Sequence, residues 1–178
     1  MRILALDLAT RVGWACGSAA EGIIESGSYK LPVTGENVGL FLSHFCKFLH
    51  SSISRTSPAE IIFEMPILPG LGKTSLETLR KLYSLCGVTE LVALERFVEC
   101  TEANLSDVRT HALGKGNVPR KRKDVKPAIM AWCKRMGWDP RDDDQADALA
   151  LLSFRLSHFH PAAGLRATPL FQNLESAA

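Results

Sequence analysis

The stretch RDDDQADALALLSF, residues 141–154, sets three adjacent aspartates and then Asp147 against a run of apolar residues. Like charges crowded beside a segment destined for burial cost free energy unless something positive sits among them. Any fold for this chain has to bring solvent, a basic side chain or a metal ion to that place. Asp144 and Asp147 are three residues apart, so a helix sets their carboxylates side by side on one face. N-terminal capping accounts for one or two of the aspartates, because Asp is a favoured cap and acids complement the positive end of a helix. It does not account for the one a turn further in, beside ALALL.

Two more acids stand in apolar surroundings. Asp7 interrupts RILALDLA, a short run suited to a central strand, and Glu64 follows IIF in AEIIFEM. A strand-end acid facing water, or one capping a nearby helix, is the plainer reading of either alone. If the two come from adjacent strands and the last helix packs across their ends, four carboxylates converge. An all-oxygen donor set selects hard ions, Mg²⁺ or Mn²⁺. Two such ions roughly 4 Å apart suit the in-line displacement of a phosphodiester.

The remaining pattern predicts the frame around these acids. GWACG and GIIESGSYKL read as two strands that follow the first through Gly-bearing turns. ENVGLFLSHFCKFLHSSI has apolar residues at helical spacing (Val38, Phe41, Leu42, Phe45, Phe48, Leu49). AEIIFEM is a fourth strand. The loop PILPGLGKT leads into a long helix over residues 75–96, and RFVECTEA is a fifth strand. SDVRTHALG and a basic loop follow, then helices in KDVKPAIMAWCKRMG and DDQADALALLSFRLSHF. A meander followed by αβ units points to an α/β fold with a mixed five-stranded sheet covered by helices. Leu79, Leu82, Leu85 and Leu94 of the long helix serve equally as core or as a surface for a second copy.

The 178 residues suffice for one domain, expected over 1–160 with a flexible tail over 161–178, and no apolar run approaches the ~20 residues of a membrane span. MRILALDLAT reads as the first structural element and not as a signal peptide. The five cysteines are scattered, without CxxC spacing, which argues for reduced thiols, a cytoplasmic setting and no zinc site. Net charge is +2, yet the basic residues Arg109, Lys115, Arg120, Lys121, Arg122, Lys123, Lys126, Lys134 and Arg135 cluster late in the chain. The cluster reads as a solvated loop or as a phosphate-backbone contact.

Three segments match a known family. ILALDLATRVGWA, IIFEMP and DQADALALL resemble the first strand, the fourth strand and the D-x-x-D-A-L-A helix of the RuvC-type Holliday junction resolvases, which have the RNase H-like fold. The resemblance covers the chain to about residue 160. It implies that Asp7, Glu64, Asp144 and Asp147 are the metal-binding catalytic acids, with Asp143 a rival for the place of Asp144. It further implies two Mg²⁺ ions (Mn²⁺ substituting), Asp7 bridging both, and a symmetric homodimer nicking four-way DNA junctions. Lys115, Arg120, Lys121, Arg122 and Lys123 would touch phosphates, with Lys73 of PILPGLGKT counted beside them. Where the family carries an aromatic wedge, that loop offers Leu68 and Leu71. An RNase H acting on RNA–DNA hybrids, a YqgF-like RNA-processing enzyme and a non-catalytic branched-DNA clamp are the rivals. An actin-like ATPase would need a second domain for which there is no room.

Overall fold

In a computed structural model that describes residues 1–65 and 75–159, and of Arg122 the backbone alone, five strands form one sheet. They are β1 (Arg2–Asp7), β2 (Arg11–Ser18), β3 (Gly22–Lys30), β4 (Glu60–Glu64) and β5 (Glu99–Ala103). The helices are α1 (Val38–Thr56), α2 (Leu76–Glu95), α3 (Leu105–Leu113), α4 (Arg122–Arg135) and α5 (Asp143–Phe159). Spatial strand order is β3-β2-β1-β4-β5. The β1–β2 and β2–β3 pairs are antiparallel, and β4 runs parallel to both β1 and β5. The expected α/β fold with a mixed five-stranded sheet is therefore the one observed.

Alternation along β1 explains why the run is apolar on both sides. Leu4 and Leu6 face α1 and α2 together with Ile61 and Phe63, while Ile3 and Ala5 face α3, α4 and α5 together with Ile62. With a period of two, Asp7 continues the Ile3–Ala5 row, and Glu60 and Glu64 flank Ile62 in its row. Both rows point at α5. The parallel register Leu6↔Phe63 then sets Asp7 beside Glu64 at the same end of the sheet.

Helix α5 lies across that face and is held at both ends. Its C-terminal half supplies Arg155, whose guanidinium donates to Glu60 Oε1 at 2.7 Å, where the Thr101 hydroxyl also donates at 2.6 Å. Glu60 is wholly buried and its second oxygen has no partner among the described residues, so this single ion pair carries the whole charge. At the other end the helix approaches β2 so closely that a Cβ on Gly13 would stand 1.9 Å from the Asp144 carbonyl oxygen.

Two segments differ from expectation. The stretch after β5, to which no element was assigned, is the helix α3, capped by the Asn104 side chain accepting from the Ser106 N–H at 2.8 Å. The fifth strand is shorter at its start than RFVECTEA suggested, because Arg96 closes α2 and Phe97 takes a left-handed φ of 54° in the turn. The four leucines of α2 divide: Leu85 is core, Leu79 and Leu82 are partly buried, and Leu94 is 73% exposed. The loop with Lys73, Leu68 and Leu71, and the tail from residue 161, lie outside the described residues. Among the described residues no helix is long and apolar enough to cross a membrane.

Gly13→Ala is expected to push the first turn of α5 off the sheet and to cost about 1–3 kcal/mol in urea unfolding. A change within about 0.5 kcal/mol, the size of an ordinary surface substitution, would mean that the close approach does not govern how α5 sits.

Candidate functional site

Where β1 and β4 end, a cleft opens, lined by Asp7, Glu64, Asp144 and Asp147. Asp7 and Glu64 come from neighbouring strand ends, and α5 brings the other two on one helix face, as their spacing required. Arg109 of α3, Arg120 before α4 and Lys126 of α4 supply positive charge to the same walls. Leu79, Leu82, Tyr83 and Cys86 of α2 close the side opposite α5.

Each aspartate of the DDD run has a different task. Asp142 precedes the helix and accepts the Gln145 N–H at 2.9 Å, which makes it the cap of α5. Asp143 pairs with the Lys126 ammonium. Asp144 turns into the cleft, with Arg11 Nε 3.5 Å from its carboxylate. The alternatives for the ligand position thus separate geometrically: Asp144 lines the cleft, while Asp143 is engaged with Lys126 at its rim.

The carboxyls hold their protons unusually tightly. Desolvation, then repulsion from Glu64, Asp147 and Asp144, drives Asp7 well above the ordinary carboxylate range, against a weaker pull from Lys126. Desolvation and the charge of Asp147 push Glu64 up to about 7, although Arg109 draws it down. Asp147 rises to about 6, chiefly by desolvation, with Lys126 and Arg109 opposing. Asp144 is raised by desolvation and by Asp143. Burial is the largest cause of each rise, and neighbouring carboxylates add to it.

A divalent cation suits this site by charge and by donor chemistry, because its four carboxyl groups present oxygens and, among the described residues, no histidine lines the cleft. Among the described residues no three acidic, histidine or cysteine groups stand close enough to enclose an ion as they lie, so the carboxylates ring the cleft without converging on one point.

Of the basic residues expected at phosphates, Arg120 lines the cleft. Lys115, Lys121 and Lys123 are exposed and are not part of its wall. Lys73 and the Arg122 side chain lie outside the described residues. Arg109 and Lys126, counted in the basic cluster but not singled out, are the cations that face the acids. Arg109 escaped notice because α3 was not anticipated. The available sign for Lys126 was its place one residue after buried Val125 on a helix packed against α5.

The carboxyls fix the direction of the pH dependence. In the folded chain they retain protons between the ordinary carboxylate range and about 7, where an unfolded chain has released them. Stability of the cation-free protein therefore falls as pH rises through that window. A divalent ion held among these carboxyls would remove the penalty. Mg²⁺ is expected to raise the melting temperature more at pH 8 than at pH 5.5, measured by scanning fluorimetry. An equal increment at both pH values would show that the ion does not act through these groups.

No family model matches the chain, and no curated protein matches it in sequence. Solved structures do. The RuvC structure from Thermus thermophilus superposes with a TM-score of 0.67 at 17% identity, over 90% of this chain and 97% of that one. T. thermophilus RuvC in complex with a Holliday junction substrate gives 0.67 at 16% identity, over 89% and 95%. The yeast mitochondrial Holliday junction resolvase Ydc2 gives 0.61 at 11% identity, over 92% and 83%. With the mixed sheet and flanking helices described above, these superpositions establish that the chain has the fold of the RuvC-type Holliday junction resolvases.

Proposed function

We propose that the protein is a metal-dependent DNA endonuclease that cleaves four-way junctions by paired, symmetric nicks. The observation that carries this reading is the meeting of Asp7, Glu64, Asp144 and Asp147 in one cleft of a resolvase fold. The four carboxylates would hold two Mg²⁺ ions, or Mn²⁺ in their place. When bound, such ions supply a water acidic enough to ionise near neutral pH and positive charge for the leaving oxygen of the phosphodiester.

The chain's own residues do the rest. Asp7, which feels the charges of Glu64, Asp147 and Asp144, would be the central ligand of the set. Arg109 and Lys126 favour the ionised forms of the acids they face, which keeps them competent as ligands. Arg120 and Lys126 offer donors to phosphate oxygens at the cleft wall, and exposed Lys115, Lys121 and Lys123 extend the positive surface along a duplex arm. Such contacts position the backbone and carry little sequence information.

A four-way junction requires two matched cuts, and the outward face of α2 offers a surface for a second copy. Leu76, Leu91 and Leu94 are 74%, 54% and 73% exposed, and Phe97, just beyond the helix, is 97% exposed. Gly87 lies in the same stripe with open space where a Cβ would be. A mid-helix glycine costs about 1 kcal/mol relative to alanine, and nothing among the described residues within 4 Å requires it. Close approach of a helix from a second copy would. The cysteines are all free, and we assign the protein to the reducing cytoplasm.

With a labelled synthetic junction in Mg²⁺, Asp147→Asn is expected to slow cutting by roughly a thousand-fold, equivalent to about 4 kcal/mol, while binding persists. Equal nicking by both proteins would contradict the assignment of the acids. Tight binding without cutting by the wild type would favour a clamp, and preferred cutting of RNA–DNA hybrid would favour an RNase H-type activity. Light scattering of wild type beside Leu91→Glu/Leu94→Glu is expected to give a dimer and a monomer respectively. A wild-type monomer at micromolar concentration would rule out the dimer.

A further inference from the structure

Asp142 stands next to the cleft acids in sequence yet takes no part in lining the cleft. Both of its oxygens are engaged by donors of the protein. Oδ1 accepts the Gln145 N–H at 2.9 Å. Oδ2 accepts the Ser28 hydroxyl at 2.5 Å and Arg11 Nη1 at 3.2 Å. The hydrogen-bonding needs of Asp142 are met within the protein, with Arg11 as the counter-charge and no metal ion required.

The same turn is tied to β3 a second time. Gln145 is buried, its Nε2 donating to Ser26 Oγ at 2.9 Å and its Oε1 accepting the Arg141 N–H at 2.9 Å. Ser26 and Ser28 alternate along β3 on the side that meets α5. Two hydroxyls of an edge strand and one arginine of β2 thus fix where the helix begins, at the point where Gly13 admits the Asp144 main chain.

We propose that Asp142 is a positioning residue: it fixes the first turn of α5 on β2 and β3, and thereby sets Asp144 and Asp147 against Asp7 and Glu64, without itself touching an ion. This rests on the reading of the cleft as a cation site. A helix moves as a body, so release of its first turn displaces both of its acids together. Removing an interaction that orients a ligand, as opposed to the ligand, lowers metal affinity by about 10–100-fold in other metal sites.

The test is Mn²⁺ affinity by calorimetry, at a temperature well below the melting point of each variant. Asp142→Ala is expected to weaken binding at least about tenfold, within that range. Asp142→Asn keeps an oxygen for the Gln145 N–H and a polar partner for Ser28, and is expected to stay within about threefold of wild type. Asp147→Asn marks the loss of a true ligand. If Asp142→Ala lowers only the melting temperature and leaves Mn²⁺ affinity unchanged, the positioning role is wrong. If Asp142→Asn is as damaging as Asp142→Ala, Asp142 is a ligand and the proposal fails in a different way. A wild type that binds no Mn²⁺ overturns the reading of the cleft itself, and the proposal with it.

Discussion

Repulsion among four carboxylates at the ends of β1 and β4 is the constraint around which the rest of the molecule is arranged. Beyond the effect of burial, Asp7 feels the charges of Glu64, Asp147 and Asp144, and Glu64 feels that of Asp147. The fold answers with partial desolvation, which keeps protons on the acids, and with Arg109 and Lys126 facing them. It answers also by anchoring. Without the Arg155–Glu60 pair at one end of α5 and the Asp142–Ser28 contact at the other, the helix could relieve repulsion by moving away from the sheet.

The core serves the same end. Ala146, Leu149 and Ala150 of α5 are buried against Ile3, Ala5 and Ile62, so the acids at positions 144 and 147 ride on a helix whose apolar face is committed to the sheet. Burial of apolar surface, at about 25 cal/mol per Å², is what holds unfavourable charges together in the absence of a cation. Helix α2 makes the complementary arrangement on the other side. Leu85, Val92 and Ala93 are buried beneath it, Leu79 and Leu82 line the cleft, and Leu91 and Leu94 remain outward.

Much of this was legible in the sequence because it depends on local periodicity. The spacing of three put Asp144 and Asp147 on one helix face, whereas the meeting of Asp7 and Glu64 depended on their strands being neighbours, which the parallel β1–β4 register supplies. Strand and helix order followed from the alternation of such patterns. The helix α3 was not legible, because its nine residues bury Val108 and Ala112 and give too short an amphipathic signal. With it went Arg109. The separate tasks of Asp142 and Asp143 were hidden for another reason. Ser28 and Arg11 lie 114 and 131 residues from Asp142 in sequence, and such pairings belong to the tertiary fold, where no local pattern announces them.

If these acids are held together to receive divalent ions, anomalous diffraction from crystals of the wild-type protein grown with Mn²⁺ and junction DNA will locate the ions between them. Two peaks roughly 4 Å apart are expected, bounded by Asp7, Glu64, Asp144 and Asp147. Peaks elsewhere, or a cleft filled by phosphate and basic side chains with no ion between the carboxylates, would contradict that expectation.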